Sequence, residues 1–91
     1  MKIYSKRVWL NKEGSPSTGS VVVFDGKIKY QPDKPSERWT FIEFSDCSTK
    51  VRLHKAGHDT VVDMIEKIEK IRAVLDEFAD HLERHREQDD V

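Results

Sequence analysis

Two histidines four residues apart, in the run His81-Leu82-Glu83-Arg84-His85 with Glu77 one turn earlier, form the most metal-like pattern in the chain. A hydrolytic zinc site on such a helix needs a glutamate directly after the first histidine to act as general base, and Leu82 stands there instead. No cysteine or carboxylate lies at tetrahedral-site spacing around His58, His81 and His85, so no stoichiometric metal is expected. The pair reads better as cationic side chains near a helix C-terminus, where they complement the negative end of the dipole. Cys47 with His54 or His58 supplies the ingredients of a thiol nucleophile and its base. The chain offers them no orienting group and no identifiable oxyanion site. Gly14-Ser15-Pro16-Ser17-Thr18-Gly19 has the look of a phosphate loop, but a Walker loop continues with Lys-Ser or Lys-Thr after the second glycine, and here Ser20-Val21 comes next. No catalytic residue and no cofactor is therefore expected, and the chain reads as a non-enzymatic protein.

A more diffuse constellation is Tyr4, Trp9, Phe24, Trp39 and Phe41 interspersed with Lys6, Arg7, Lys27, Lys29, Arg38, Arg52 and Lys55. Aromatic platforms between cations are how sheet proteins hold single-stranded nucleic acid, the bases stacking while the charges meet phosphate. The same residues serve a plainer purpose, because aromatics populate strands and lysines at a sheet edge oppose aggregation. The residues expected to form a ligand face are Phe24, Lys27, Lys29 and Arg52.

These side chains need elements to position them. Lys2 to Leu10 alternates as a strand, with Tyr4, Val8 and Leu10 on one side and Ile3 and Trp9 on the other. Asn11 to Ser20 carries Gly14, Pro16 and Gly19 in a polar stretch and reads as a loop. Val21 to Phe24, then Asp25-Gly26, then Lys27 to Tyr30 has the form of a hairpin closed by a type I′ turn. That turn would pair Phe24 with Lys27 and Val23 with Ile28, placing Val21, Val23, Ile28 and Tyr30 on one face and Val22, Phe24, Lys27 and Lys29 on the other. After a second loop with Pro32 and Pro35, Arg38 to Phe44 is apolar on both faces. Trp39 and Phe41 point one way and Ile42 and Phe44 the other, as suits a central strand. Lys50 to Lys55 alternates Val51 and Leu53 inward against Arg52 and His54 outward.

Gly57 ends the strand pattern, and Asp59 or Thr60 caps the helical segment after it, Thr60-x-x-Asp63 being a capping box. Val61, Met64, Ile68, Ile71, Leu75, Phe78 and Leu82 then recur at alternating spacings of three and four, a heptad-compatible stripe that Ile65, Val74 and Ala79 widen. The expectation is an α+β domain over residues 1–91: an antiparallel sheet of four to five strands within 1–57, one long C-terminal amphipathic helix over 59–86 packed on it, and a disordered tail at 87–91.

Composition bounds the rest. Hydrophobic residues make up 36% of the chain and charged ones another 36%, and a chain this short buries only about 60 to 65% of its unfolded surface. A helix of about 27 residues spans about 40 Å, twice the roughly 20 Å of a six-residue strand. The overhang would carry an apolar strip that monomers seldom leave open, so a homodimer is expected with Ile71, Leu75, Phe78 and Leu82 at its interface, an oblique path of the helix across a broad sheet being the alternative. Residues 1–57 hold eight Lys and three Arg against six acids; residues 58–91 hold five basic residues against eleven acidic ones. That division suits an anionic partner on the sheet or contact between opposite faces. The single cysteine excludes an internal disulfide and points to a reducing, cytoplasmic setting. No apolar run comes after the basic residues of the first seven positions, and no membrane span is expected.

A sheet of about four strands followed by one dimerising helix resembles the single-strand-binding transcriptional coactivators. The likeness covers Trp39 to Leu53 and the helix, with Lys50-x-x-Leu53 as its local match, and leaves the first thirty residues without a counterpart. It implies a sheet that binds single strands. The expected function is a protein-protein interaction module, with single-stranded nucleic-acid binding on the basic sheet face as the alternative.

Overall fold

The computed structural model describes residues 2–16, 18–29 and 31–88. The chain divides into two compact units, Met1–Ala56 and Gly57–Val91, at the glycine where the strand pattern ends. The first unit is one four-stranded antiparallel sheet in chain order: β1 (Tyr4–Trp9), β2 (Gly19–Ile28), β3 (Glu37–Asp46) and β4 (Thr49–His54). The second is a 24-residue helix, α1 (Val61–Arg84), with a single 3-10 turn at Arg86–Gln88. The class is α+β.

The largest departure from the sequence reading lies in β2. Asp25-Gly26 is not a turn, because the strand runs straight through both residues for ten positions. Phe24 pairs with Ser5 and Phe41, and Val23 with Lys6 and Ile42, so neither meets Lys27 or Ile28. Tertiary contacts decide the matter. The Asp25 carboxylate accepts from Arg38 Nε and Nη2 at 2.9 and 2.8 Å and from Thr40 Oγ1 at 2.8 Å, which ties the residue to β3. At Gly26 a Cβ would stand 2.9 Å from the Ile3 side chain and 3.3 Å from the Phe24 ring, so this glycine is required by close approach and not by a reversal of the chain. A four-strand sheet results where a hairpin-based layout would have had five.

The tight hairpin falls instead between β3 and β4, where Asp46 pairs with Thr49 and only Cys47 and Ser48 lie between them. Cys47 takes the left-handed conformation, with φ 54°, the geometry that short hairpin turns demand. Its N–H donates to the Thr18 carbonyl at 2.8 Å, tying the turn to the loop before β2. On the far side of that loop Leu10 N–H donates to the Gly19 carbonyl and the Gly19 N–H donates to Asn11 Oδ1. The Lys55 N–H donates to the Thr40 carbonyl at 2.9 Å and carries the β3-β4 ladder one residue past the strand.

Strand alternation and register sort the side chains onto two faces. One face carries Arg7 and Trp9, then Ser20, Val22 and Phe24, then Trp39, Phe41 and Glu43, then Arg52 and His54. The other carries Tyr4, Lys6 and Val8, then Val21, Val23, Asp25 and Lys27, then Arg38, Thr40, Ile42 and Phe44, then Val51 and Leu53. The alternations expected for β1, β3 and β4 hold. In β2, Val21 and Val23 are parted from Ile28, and Tyr30 lies outside the described residues. Phe41 and Ile42, at adjacent positions of the inner strand β3, are buried on opposite faces, while β1 at the edge is exposed throughout. Val51, expected to face inward, is exposed because β4 is the other edge.

In the helical unit Thr60 caps α1 as its sequence suggests. Asp63 N–H donates to Thr60 Oγ1 at 3.1 Å and Thr60 N–H donates back to Asp63 Oδ2 at 2.9 Å, closing both halves of the capping box. His85 ends the helix, its N–H donating to the Leu82 carbonyl at 3.2 Å. Glu87 and Gln88, expected in a disordered tail, belong to the 3-10 turn; residues 89–91 lie outside the described ones.

Candidate interaction surfaces

The aromatic face of the sheet is built across its three later strands. Phe24 of β2 and Phe41 of β3 sit directly opposite each other and stack, with ring centroids 5.4 Å apart and planes 14° from parallel. On β4, His54 stands opposite Phe41 with its ring 5.6 Å away and Trp39 meets the same imidazole edge-on at 5.7 Å. Arg52 closes the cluster, its Cζ lying 4.0 Å from the Phe41 ring centroid while Nε and Nη2 donate to Glu43 Oε1 at 3.2 and 2.9 Å. Glu43 is itself 9% exposed, so the guanidinium both covers an aromatic ring and neutralises a buried carboxylate. Nearer β1, Ser20 and Ser45 join through their hydroxyls at 2.8 Å. Beyond them lies Trp9, 63% exposed, with the Arg7 guanidinium 5.4 Å from its ring.

Of the four residues expected on a ligand face, Phe24 and Arg52 do share one, with Phe41 between them. Lys27 does not join them. Three positions from Phe24 in an uninterrupted strand, it projects from the opposite face, and Lys29 lies just past the end of β2. The expected grouping depended on a turn that the chain does not make. Conversely, the Asp25-Arg38-Thr40 cluster and the Glu43-Arg52 pair went unseen in the sequence. Glu43-Arg52 is a direct cross-strand pair and Asp25-Arg38 a diagonal one. Finding either requires the register between strands, which only correct turn placement supplies.

The second surface is the C-terminal half of α1. Leu75, Phe78 and Leu82 are 53%, 57% and 52% exposed, Val74 is exposed beside them, and Ile71 is half-buried. Ile71, Val74, Leu75 and Phe78 stand at i, i+3, i+4 and i+7, the four-residue diamond that receives a side chain in coiled-coil packing. A shallow apolar depression of about 290 Å³ lies among Lys70, Ile71, Val74 and Leu75. The four residues expected at a dimer interface thus fall on one continuous helical stripe.

His81 and His85 stack at the end of this helix with ring centroids 4.5 Å apart, and His85 Nδ1 donates to the His81 carbonyl at 2.8 Å. That bond commits one imidazole nitrogen to the backbone. Among the described residues no group of three or more His, Cys, Asp or Glu side chains stands where it could hold a metal ion. Cys47 is a free, exposed thiol at the β3-β4 turn. Among the described residues no helix is long and apolar enough to cross a membrane. No protein-family model, no curated protein and no solved structure matches this chain.

Proposed function

We propose that the chain is a non-enzymatic binding module that works through protein-protein contacts as a homodimer, joined through Ile71, Leu75, Phe78 and Leu82. The observation that supports this reading is the exposed stripe itself. Against three buried hydrophobic side chains, Phe41, Ile42 and Met64, thirteen large hydrophobics stand exposed among the described residues. The densest regular run of them lies on α1 at coiled-coil spacing. Exposure at scattered positions needs no explanation, but a continuous stripe marks an interface. The sheet unit, carrying the positive excess of the chain, then serves an acidic protein segment through Arg7, Trp9 and the rim of the aromatic face.

Phe78→Asp and Leu82→Asp test the joint directly, since each places a charge on the stripe that a packed interface would bury without a partner. Each variant should halve the mass seen by light scattering at tens of micromolar, with an unchanged circular dichroism spectrum because both side chains are exposed within one chain. A wild type and variants of equal mass would reject the reading.

Single-stranded nucleic acid is the second reading, favoured by exposed Trp9 beside Arg7. Phe41 is 8% exposed and Arg52 is engaged by Glu43, so on that face the most open stacking platform is Trp9, while Tyr4 stands exposed on the other face. Anisotropy of a labelled thirty-mer at low salt separates the two. Micromolar binding that weakens steeply with salt and is lost in Trp9→Ala supports nucleic acid, and no binding leaves the protein partner.

A further inference from the structure

We propose that β1 is an open pairing edge that takes up an acidic, extended segment of another protein as a fifth strand of the sheet. This rests on the protein-binding reading of the sheet unit and adds the place and the mode of contact.

The hydrogen-bond pattern shows which backbone groups are available. The Leu10 N–H donates to the Gly19 carbonyl, and these two residues lie directly opposite each other one step beyond the β1-β2 register. Bonded pairs alternate with non-bonded ones along an antiparallel ladder. Val8, Lys6 and Tyr4 therefore direct their N–H and C=O groups to β2, while Ser5, Arg7 and Trp9 direct theirs out of the sheet. β1 ends the strand order and is exposed along its whole length. The other edge, β4, is not equivalent. Among the described residues Ile3, Tyr4, Val8, Trp9 and Leu10 are exposed large hydrophobics along β1 and its flanks, against Val51 alone on β4. On β4, Arg52 is already held by Glu43 and covers Phe41.

Charge selects the occupant. Lys6 and Arg7 are neighbours at the middle of β1, one cation on each face, and among the described residues neither meets a carboxylate. A second copy fits this edge poorly. Antiparallel pairing of β1 with itself requires outward-directed residues to lie opposite one another, and the two registers of greatest overlap set Lys6 against the copy's Lys6 or Arg7 against the copy's Arg7. Like charges directly opposite destabilise a strand pair. A nucleic acid strand has no ladder of alternating donors and acceptors to offer the edge. An acidic extended segment has both parts: its backbone bonds to Ser5, Arg7 and Trp9, and its carboxylates meet Lys6 and Arg7 while apolar side chains cover Tyr4, Val8 and Trp9.

The probe is a fluorescein-labelled peptide, Thr-Val-Val-Glu-Glu-Val-Val-Thr-amide, whose adjacent glutamates put one carboxylate on each face of an extended strand. With the full chain, anisotropy should show saturable binding, weakened about tenfold by Lys6→Glu with Arg7→Glu. N-methylation of alternate peptide residues should abolish binding in one phase of the alternation and leave it in the other, because one set of amides faces β1 and the other faces solvent. Amide exchange in the bound protein should slow at Ser5, Arg7 and Trp9 and stay unchanged at Lys6 and Val8. These results support the proposal. No saturable binding overturns it. Binding indifferent to N-methylation in both phases also overturns it, while the acidic-segment reading stands. Protection of Ser5, Arg7 and Trp9 that grows with concentration in the protein alone places a second copy on the edge, and protection by a single-stranded thirty-mer in place of the peptide assigns the edge to nucleic acid; either overturns the proposal. The homodimer reading is tested separately by molar mass, which does not depend on this edge.

Discussion

Asp25 shows how one carboxylate redirects a strand. Held by both Arg38 nitrogens and by Thr40, it sits on the sheet surface with its pKa below the usual carboxylate range, chiefly because the Arg38 guanidinium hydrogen-bonds the charged form. The same bond raises Arg38. A carboxyl whose folded pKa is depressed contributes stability above its unfolded value, and that contribution disappears as pH falls through the folded one. Because the pair is partly solvated, Asp25→Asn should cost only about 1 kcal/mol near neutrality, and its difference from wild type in urea titrations should close as pH falls below the ordinary carboxylate range and through the depressed folded value. Glu43 is different in kind. Arg52→Ala leaves that carboxylate buried without its cation and uncovers Phe41, so it should cost about 2 kcal/mol or more. Equal losses for the two variants at neutral pH would contradict this ranking.

At the scale of elements, the helix was the more legible of the two units. Its stripe and capping box are local patterns, readable without knowledge of any other segment, and both ends fall within two residues of their expected places. Thr60→Ala removes the acceptor for the Asp63 N–H and should lower stability by about 1 kcal/mol, with Thr60→Ser close to wild type. Thermal melts followed at the helical signal check this, and indistinguishable melting of all three proteins would show the cap to be idle. The strands around Trp39 and Leu53 were legible for the same reason, since alternation is local. The Asp25-Gly26 pair misled because its turn preference is real but weak. Two strand-length hydrogen-bonding ladders and the Arg38 contacts outweigh it, and those depend on partners far along the chain. The true turn at Cys47-Ser48 carries neither glycine nor asparagine, and nothing local announced that Cys47 would take a positive φ. Moving the turn moved Lys27 to the other face, which is why the expected ligand grouping dissolved while the helical stripe survived.

For the whole molecule, the balance is between a small buried core and a long exposed stripe. Among the described residues only three hydrophobic side chains are buried, and association that binds only the folded chain adds to stability by mass action. The melting temperature should therefore rise with protein concentration, more steeply for wild type than for Phe78→Asp. The most direct test is the molar mass of the wild-type chain itself, measured by sedimentation equilibrium from micromolar to hundreds of micromolar at physiological salt. The proposed pairing predicts twice the chain mass at the upper end, decreasing towards one on dilution. A single-chain mass across the whole range would contradict it.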